Sequence, residues 1–127
     1  MNPKRILLVE DDHYQRHALE ARLRREGFAV DAAEDGEEAL RKVSGGALPD
    51  VILLDLIMPK MNGFEVLRVL KQDAATAAIP VIVLTNLGQP SDIDNARAGG
   101  AVDYIVKARA TLGDVVARVE AALAAAA

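Results

Sequence analysis

The segment Val51–Gly63, with the sequence V-I-L-L-D-L-I-M-P-K-M-N-G, places an acid directly after four aliphatic residues. An unbroken apolar run of this length is typical of a strand that is covered on both faces, as in parallel sheets. The acid that ends the run, Asp55, is of a type that is seldom buried unless something pairs with it. The segment therefore predicts a buried strand that ends at the rim of the fold, beside groups that compensate the charge of Asp55.

Other aliphatic runs resemble this strand in length and composition: Ile6–Val9, Phe28–Ala33, Ile79–Leu84 and Val102–Val106. Strict alternation of five such strands with five helical segments predicts βα units with right-handed crossovers. A TIM barrel needs roughly twice the length of this chain. We expect an α/β fold, an open, doubly wound sheet of five parallel strands. The second run ends in Ala33 without a polar side chain and is expected at an outer position.

The helical segments carry signals for their ends. Asp12 or His13 begins the first one. Ser91 with Asp94 has the spacing of a capping box and predicts the start of the fourth. The last helix has the clearest amphipathic pattern in the chain, and its alanine tail, Ala124–Ala127, is expected to fray.

The composition narrows the function classes. The net charge is −4, the basic residues are scattered and only four residues are aromatic, so no stripe or stacking platform for nucleic acid is visible. The absence of cysteine excludes a disulfide framework and thiolate metal sites, and it suits a reducing cytosol. The apolar run near the N-terminus is too short for a signal peptide or a membrane span. We expect one soluble, cytoplasmic domain over residues 1–127, with no nucleic-acid or membrane partner.

Polar residues follow four of the five runs: Glu10 and Asp11, Asp55, Thr85, and Lys107. Because the carboxyl ends of parallel strands meet at one edge of a sheet, we expect these side chains to converge there. Two carboxylates roughly 6 Å apart repel by about 3 kcal/mol at an effective dielectric near 20, so the cluster needs a cation, a shared proton or high exposure. Lys107 supplies one positive charge, and an all-oxygen cluster also suits Mg²⁺. A compensated carboxylate of this kind can act as a nucleophile in phosphoryl transfer.

The stretches V-E-D-D, D-L-I-M-P-K-M-N-G-F-E-V-L, V-L-T and D-Y-I-V-K, at these intervals, resemble the receiver domains of response regulators in two-component signalling. The resemblance covers essentially the whole chain. It implies a chemotaxis-regulator-like, flavodoxin-like (βα)5 fold with strand order 2-1-3-4-5. It also implies a signalling switch that catalyses only its own phosphorylation and dephosphorylation, and is no enzyme beyond that.

By the same resemblance Asp55 is the phosphoacceptor and, with Asp11, a direct ligand of Mg²⁺. Glu10 would hold the metal through water, and the backbone carbonyl of Ile57 would complete the protein ligands. Thr85 and Lys107 would contact the phosphoryl group.

The resemblance also implies how the signal leaves the site. Tyr104 would change its exposure on activation together with Thr85, and Gly63 would shape the helix start beside the site. The implied partners are a sensor histidine kinase or a phosphotransfer protein, and then a downstream protein or a second copy of the chain. The output face would join the fourth helix, the fifth strand and the fifth helix, through Arg97, Asp103, Tyr104 and Arg118. We expect no output domain within residues 1–127, so the chain is either a stand-alone regulator or an excised receiver.

Three departures from the family pattern affect the site. Lys107 is followed by Ala108, where the family usually has proline after a cis bond. A cis bond before a non-proline residue costs about 3 kcal/mol, so we expect either a trans bond or a visibly strained loop here. Asn86 occupies a position that is usually small, and either hinders a phosphodonor or contributes a hydrogen bond. Ile57 and Leu87 are apolar and cannot orient a hydrolytic water, which predicts slow loss of the phosphoryl group.

Two other functions compete with the switch. A Mg²⁺-dependent phosphohydrolase with an aspartyl-phosphate intermediate uses the same nucleophile, but haloacid-dehalogenase-type enzymes carry a second acid two residues later, where this chain has Ile57. A receiver-like module that binds partners without phosphorylation is disfavoured because the acids, Thr85 and Lys107 are all present. The fourth helix is weakly apolar, which predicts low local stability and suits an element that moves on phosphorylation.

Overall fold

The aliphatic runs form five parallel strands in the computed structural model, which describes residues 2–127. The strands are β1 (Arg5–Val9), β2 (Ala29–Ala33), β3 (Val51–Leu54), β4 (Val81–Thr85) and β5 (Asp103–Val106). Their order in the sheet is β2-β1-β3-β4-β5, which confirms the expected doubly wound, flavodoxin-like topology. The strand that ends without a polar side chain, β2, lies at an edge of the sheet, as expected.

Five helices connect and flank the strands: α1 (His13–Arg25), α2 (Gly36–Ser44), α3 (Gly63–Gln72), α4 (Pro90–Ala98) and α5 (Leu112–Ala126). A single 3₁₀ turn over Lys107–Arg109 precedes the last helix. A side chain at the preceding residue caps four of the helices by accepting a backbone N–H, which satisfies one of the donors left open at each helix start. These caps are Asp12, Asp35, Asn62 and Thr111.

The two faces of the sheet bury separate apolar layers, because successive side chains of a strand point to opposite faces. Ile6 and Leu8 of β1 pack with α1 and α5, whereas Leu7 and Val9 pack with α2 and α3. Strands β3 and β4 are buried along their whole length, which explains why their sequences show no alternation. No helix within residues 2–127 combines the length and the apolar character needed to cross a membrane.

Two helix ends differ from the sequence-based expectation. Helix α4 begins at Pro90, after Gln89, so the capping box predicted at Ser91 is wrong. Proline at the first helical position lacks an N–H that would have no partner there, and its fixed φ favours a helix start. Helix α5 continues to Ala126, so the predicted fraying from Ala124 is also wrong. Alanine has the highest helix propensity and needs no packing partner to prolong a helix by a turn.

Candidate functional site

Three carboxylates meet at the carboxyl edge of the sheet, where the ends of β1 and β3 lie side by side. One oxygen from each of Glu10, Asp11 and Asp55 lies within 4.8 Å of the other two. Glu10 and Asp55 are 1% and 6% exposed, whereas Asp11 is open to solvent. The three acids therefore lie close together, as expected from the sequence, and two of them are buried.

The ammonium of Lys107 lies between the two buried acids. Its Nζ donates to Asp55 Oδ2 at 2.8 Å and to the carboxylate of Glu10. Burial alone would lower the pKa of Lys107, but the hydrogen bonds to Asp55 and Glu10 outweigh it and raise that pKa, so the lysine stays charged. Burial raises the pKa of Glu10, and its hydrogen bond with Lys107 partly offsets this. Lys107, Glu10 and Asp55 thus form a buried triad in which one cation makes ion pairs with two carboxylates.

The backbone around Asp55 fixes the direction of its carboxylate. The N–H of Ile57 donates to Asp55 Oδ1 at 3.1 Å, and the N–H of Asp55 itself donates to the carbonyl of Val9 at 3.1 Å. The first residue of α3, Gly63, packs directly against the end of this strand. A Cβ added to Gly63 would lie 2.3 Å from the carbonyl oxygen of Asp55 and 2.6 Å from the Cα of Leu56. Only glycine permits that approach, so Gly63 keeps the helix start pressed against the residue that carries the carboxylate.

A buried arginine holds the other acidic segment. Arg16 is 8% exposed, and its Nη1 donates to the carbonyl oxygens of Glu10 at 3.0 Å and Asp11 at 3.3 Å. These bonds tie α1 to the segment that bears two of the three acids. Arg16 was not predicted as a site residue, although its helical spacing from Leu19 and Leu23 is a partial signal: all three lie on the buried face of α1.

The next strand along, β4, ends in a buried hydroxyl. Thr85 is fully buried, and the N–H of Leu87 donates to its Oγ1 at 3.5 Å. The carbonyl of Leu87 accepts the hydroxyl of Tyr104 at 2.6 Å. Tyr104 is 7% exposed, and burial, followed by the charges of Asp92 and Asp55, raises the pKa of its phenol. The segment after Thr85 is therefore bound to β5 through an inward-facing tyrosine.

The residues that depart from the family pattern follow the carboxyl ends of β3, β4 and β5. No residue from 2 to 127 has a cis peptide bond, so the bond before Ala108 is trans, one of the two expected alternatives. Asn86 Oδ1 accepts the N–H of Ala108 at 3.2 Å, so of the two alternatives for Asn86 the structure shows the hydrogen bond. Ile57 is 55% exposed and Leu87 is half-buried, and neither offers a polar side-chain atom.

The donor set fits a hard divalent cation. The three clustered groups are all carboxylates, and the single ammonium of Lys107 leaves them with excess negative charge. Oxygen ligands in small number, with access for water at the exposed Asp11, are what Mg²⁺ prefers in proteins. Soft or nitrogen ligands are absent from this cluster, which disfavours zinc and copper.

Comparison with known proteins assigns this fold and site to a class. Residues 6–120 match the family model of the response regulator receiver domain. The protein PilH of Pseudomonas aeruginosa is 40% identical over 103 residues, which cover 81% of this chain and 84% of PilH. The response regulator PleD of Caulobacter vibrioides is 43% identical over 103 residues, which cover 81% of this chain but 22% of PleD. The match therefore spans most of one relative and a small part of the other.

Solved structures agree with this assignment. The signal receiver domain of a histidine kinase from Syntrophus aciditrophicus is 34% identical, with a TM-score of 0.87 over 96% of this chain and 91% of that one. A receiver domain protein described as CheY-like, from Methanospirillum hungatei, has a TM-score of 0.90 at 25% identity, over 98% of this chain and 96% of that one.

The chain belongs to the response regulator receiver domain family. Receiver domains are the phosphorylation-dependent switches of two-component systems, and they are signalling proteins rather than classical enzymes. This confirms the resemblance read from the sequence and disfavours the phosphohydrolase alternative.

Proposed function

We propose that this receiver domain accepts a phosphoryl group on Asp55 from the phosphohistidine of a sensor kinase or phosphotransfer protein. The observation that carries the proposal is the environment of the Asp55 carboxylate. This carboxylate accepts the N–H of Ile57 and pairs with the ammonium of Lys107, and two further carboxylates lie within 4.8 Å of it. A carboxylate that is aimed, compensated and placed at a sheet edge is suited to act as a nucleophile.

The transfer conserves atoms and electrons. An oxygen of Asp55 attacks phosphorus, an O–P bond forms as the N–P bond of the phosphohistidine breaks, and the bond electrons leave with the imidazole, which takes a proton from water. Lys107 pairs with Asp55 before the reaction, and we propose that it then pairs with a phosphoryl oxygen. Thr85 donates its hydroxyl to another phosphoryl oxygen. When bound, Mg²⁺ supplies positive charge that offsets the acids and the phosphoryl oxygens.

The residues proposed to hold Mg²⁺ are those of the acidic cluster and one adjoining carbonyl. Asp11 and Asp55 would be direct ligands, Glu10 would bind through water, and the carbonyl of Ile57 would complete the set. The clustering of the three carboxylates supports this assignment, and the N–H of Ile57 bonded to Asp55 keeps that loop beside the cluster.

The output step is proposed to use the contacts between β4, β5 and α4. When the Thr85 hydroxyl turns toward a phosphoryl oxygen, its hydrogen bond with the N–H of Leu87 is altered. The carbonyl of Leu87 accepts the hydroxyl of Tyr104, so the change reaches that side chain. The face that responds would include Arg97, Asp103, Tyr104 and Arg118, and it binds a downstream protein or a second copy of the chain. Helix α4 has a single buried residue, Ala96, so little burial opposes its movement. Hydrogen exchange as slow in α4 as in α5 would contradict that role.

The phosphorylated state is proposed to be long-lived. Hydrolysis is faster where a polar side chain orients a water toward phosphorus. The exposed Ile57 and the half-buried Leu87 flank the site and have no polar side-chain atom to do so.

The absence of cysteine supports, in addition, the expected location in a reducing cytoplasm.

The test is incubation with Mg²⁺ and a small-molecule phosphodonor, followed by intact-mass measurement. We expect the wild-type chain to gain one phosphoryl group, and Asp55→Asn to gain none while folding normally. Addition of the group to Asp55→Asn would refute the assignment of the acceptor. Multiple turnover of a phosphate ester by the wild type would instead support the phosphohydrolase.

A further inference from the structure

We propose that Asn86 is a positioning residue for Lys107: its side-chain carbonyl holds the backbone N–H of Ala108 and so fixes the turn that carries the ammonium beside Asp55. The inference rests on the proposed function, because it concerns how Lys107 reaches the phosphoacceptor. It adds to that function a residue whose side chain makes no hydrogen bond with Asp55 or with the other acids and acts through the backbone.

The hydrogen bond continues the pairing of two strands beyond the point where their backbone ladder ends. The last paired residues of β4 and β5 are Thr85 and Val106. One position beyond the end of β4, Asn86 Oδ1 accepts the N–H of Ala108 at 3.2 Å. Asn86 directly follows the buried hydroxyl of Thr85, and Ala108 directly follows Lys107. The bond therefore links the two strand ends that carry the proposed phosphoryl contacts.

The turn that bears Lys107 has little to hold it from within. It is a 3₁₀ turn of three residues, Lys107–Arg109, and no side chain caps it from its own N-terminal end. Its internal bond runs from the N–H of Ala110 to the carbonyl of Lys107 at 3.3 Å. Turns this short do not persist by themselves and leave their first N–H groups without internal partners. Asn86 supplies one of those partners from the neighbouring strand.

The position of this bond indicates an effect on reactivity more than on stability. Both Asn86 and Ala108 are exposed, so water replaces the bond at small net cost when it is lost. Lys107 nevertheless makes its ion pairs in the buried cluster, where the direction of the ammonium depends on the backbone that carries it. Loosening the turn lowers the fraction of molecules in which Lys107 is aligned with Asp55, and so slows a reaction that depends on positioning.

A double-mutant cycle tests the bond directly. Asn86→Ala removes the acceptor and Ala108→Pro removes the donor N–H. We expect Asn86→Ala to slow phosphorylation by a small phosphodonor in the presence of Mg²⁺ by about twofold to tenfold, the range set by one hydrogen bond. In the Ala108→Pro background, the same change at Asn86 has no partner to lose and is expected to leave the rate unaltered. Asn95→Ala, an exposed asparagine on α4, serves as the matched control.

Two further measurements separate positioning from a general loss of structure. The NMR signals of the Lys107 side chain should shift in Asn86→Ala, and the amide of Ala108 should exchange faster, while the melting temperature stays at the wild-type value. The exchange measurement stands even where Ala108→Pro fails to fold.

The outcomes distinguish the two proposals. A wild-type chain that gains no phosphoryl group refutes the proposed function and this inference with it. A wild-type chain that reacts, with Asn86→Ala reacting equally fast, refutes this inference alone. Equal slowing by Asn86→Ala in both backgrounds also overturns it, because the effect would then not pass through the N–H of Ala108.

Discussion

A methyl group added at Gly63 is predicted to disturb the phosphorylation site through the backbone. Gly63 is the first residue of α3, where alanine is intrinsically favoured over glycine by about 1 kcal/mol. A Cβ at this position would lie 2.3 Å from the carbonyl oxygen of Asp55 and 2.6 Å from the Cα of Leu56. Helix propensity and close packing therefore predict opposite signs for the same substitution.

The packing effect is expected to win. The atoms that meet the new Cβ belong to the backbone, and that backbone is held by the bond from the N–H of Asp55 to the carbonyl of Val9. They cannot turn aside as the end of a flexible side chain can. Overpacking costs about 1–3 kcal/mol, and a contact of 2.3 Å with backbone belongs at the upper end of that range. After subtraction of the gain of about 1 kcal/mol in propensity, we expect Gly63→Ala to lower the free energy of unfolding by about 2 kcal/mol. Relief of the clash moves Asp55, and phosphorylation should slow roughly tenfold or more.

The assay is urea unfolding together with the rate of phosphorylation by a small phosphodonor. Gly46→Ala is the matched control, because a Cβ there meets nothing within 4 Å and its φ is not in the left-handed region. We expect the control to stay within about 0.5 kcal/mol of the wild type and to react normally. A Gly63→Ala chain as stable and as reactive as Gly46→Ala would refute the close-approach argument.

Three further substitutions test the roles of Arg16, Ile57 and Asp35. Arg16→Met leaves the carbonyls of Glu10 and Asp11 without their buried donor, and it should lower the free energy of unfolding in urea by about 2 kcal/mol. The control Arg25→Met, on the exposed face of α1, should lower it by less than about 0.5 kcal/mol. Equal losses in the two variants would contradict the role of Arg16. Ile57→Asn introduces a polar group beside the site and should speed the decay of the acyl phosphate after donor removal, and unchanged decay would show that this position does not set the lifetime. The N–H of Glu38 bonded to Asp35, the cap of α2, lowers the pKa of Asp35 below its usual 3.8. Its stabilising effect is therefore present above the unfolded pKa and is lost as the pH falls through the lower, folded one. Asp35→Asn keeps the cap without titrating, so its unfolding free energy should fall less steeply than that of the wild type below about pH 4, and parallel curves would contradict this.

The strand pattern was enough to predict an open, parallel, doubly wound sheet because β3 and β4 are buried on both faces. The runs Val51–Leu54 and Ile79–Leu84 have no alternation, and only a parallel sheet flanked by helices covers such strands. The convergence of Glu10, Asp55 and Lys107 followed from the same reasoning, since each of these residues comes directly after a strand. The order of the strands came from the family resemblance, because the pattern alone does not distinguish one doubly wound order from another.

The features that the sequence did not predict depend on non-local backbone contacts or on the balance of weak local preferences. The spacing of Arg16 from Leu19 and Leu23 indicates the buried face of α1, but the carbonyl oxygens that it binds are present at every residue and leave no signature in a sequence. Asn86 and Ala108 are 22 residues apart, and their contact requires the register of β4 against β5. At the start of α4, Pro90 and Ser91 both carry helix-start signals, and proline at the first helical position prevailed.

Reductive trapping of the acyl phosphate tests whether Asp55 receives the phosphoryl group. The phosphorylated chain is treated with borohydride, which reduces an aspartyl phosphate to homoserine, and the modified residue is located by peptide mass spectrometry. We predict homoserine at position 55 in the Mg²⁺-treated wild type, and none in a sample prepared with a chelator. Homoserine in place of Asp11 or Asp12, or an unmodified position 55 in a chain that has gained a phosphoryl group, would show that Asp55 is not the acceptor.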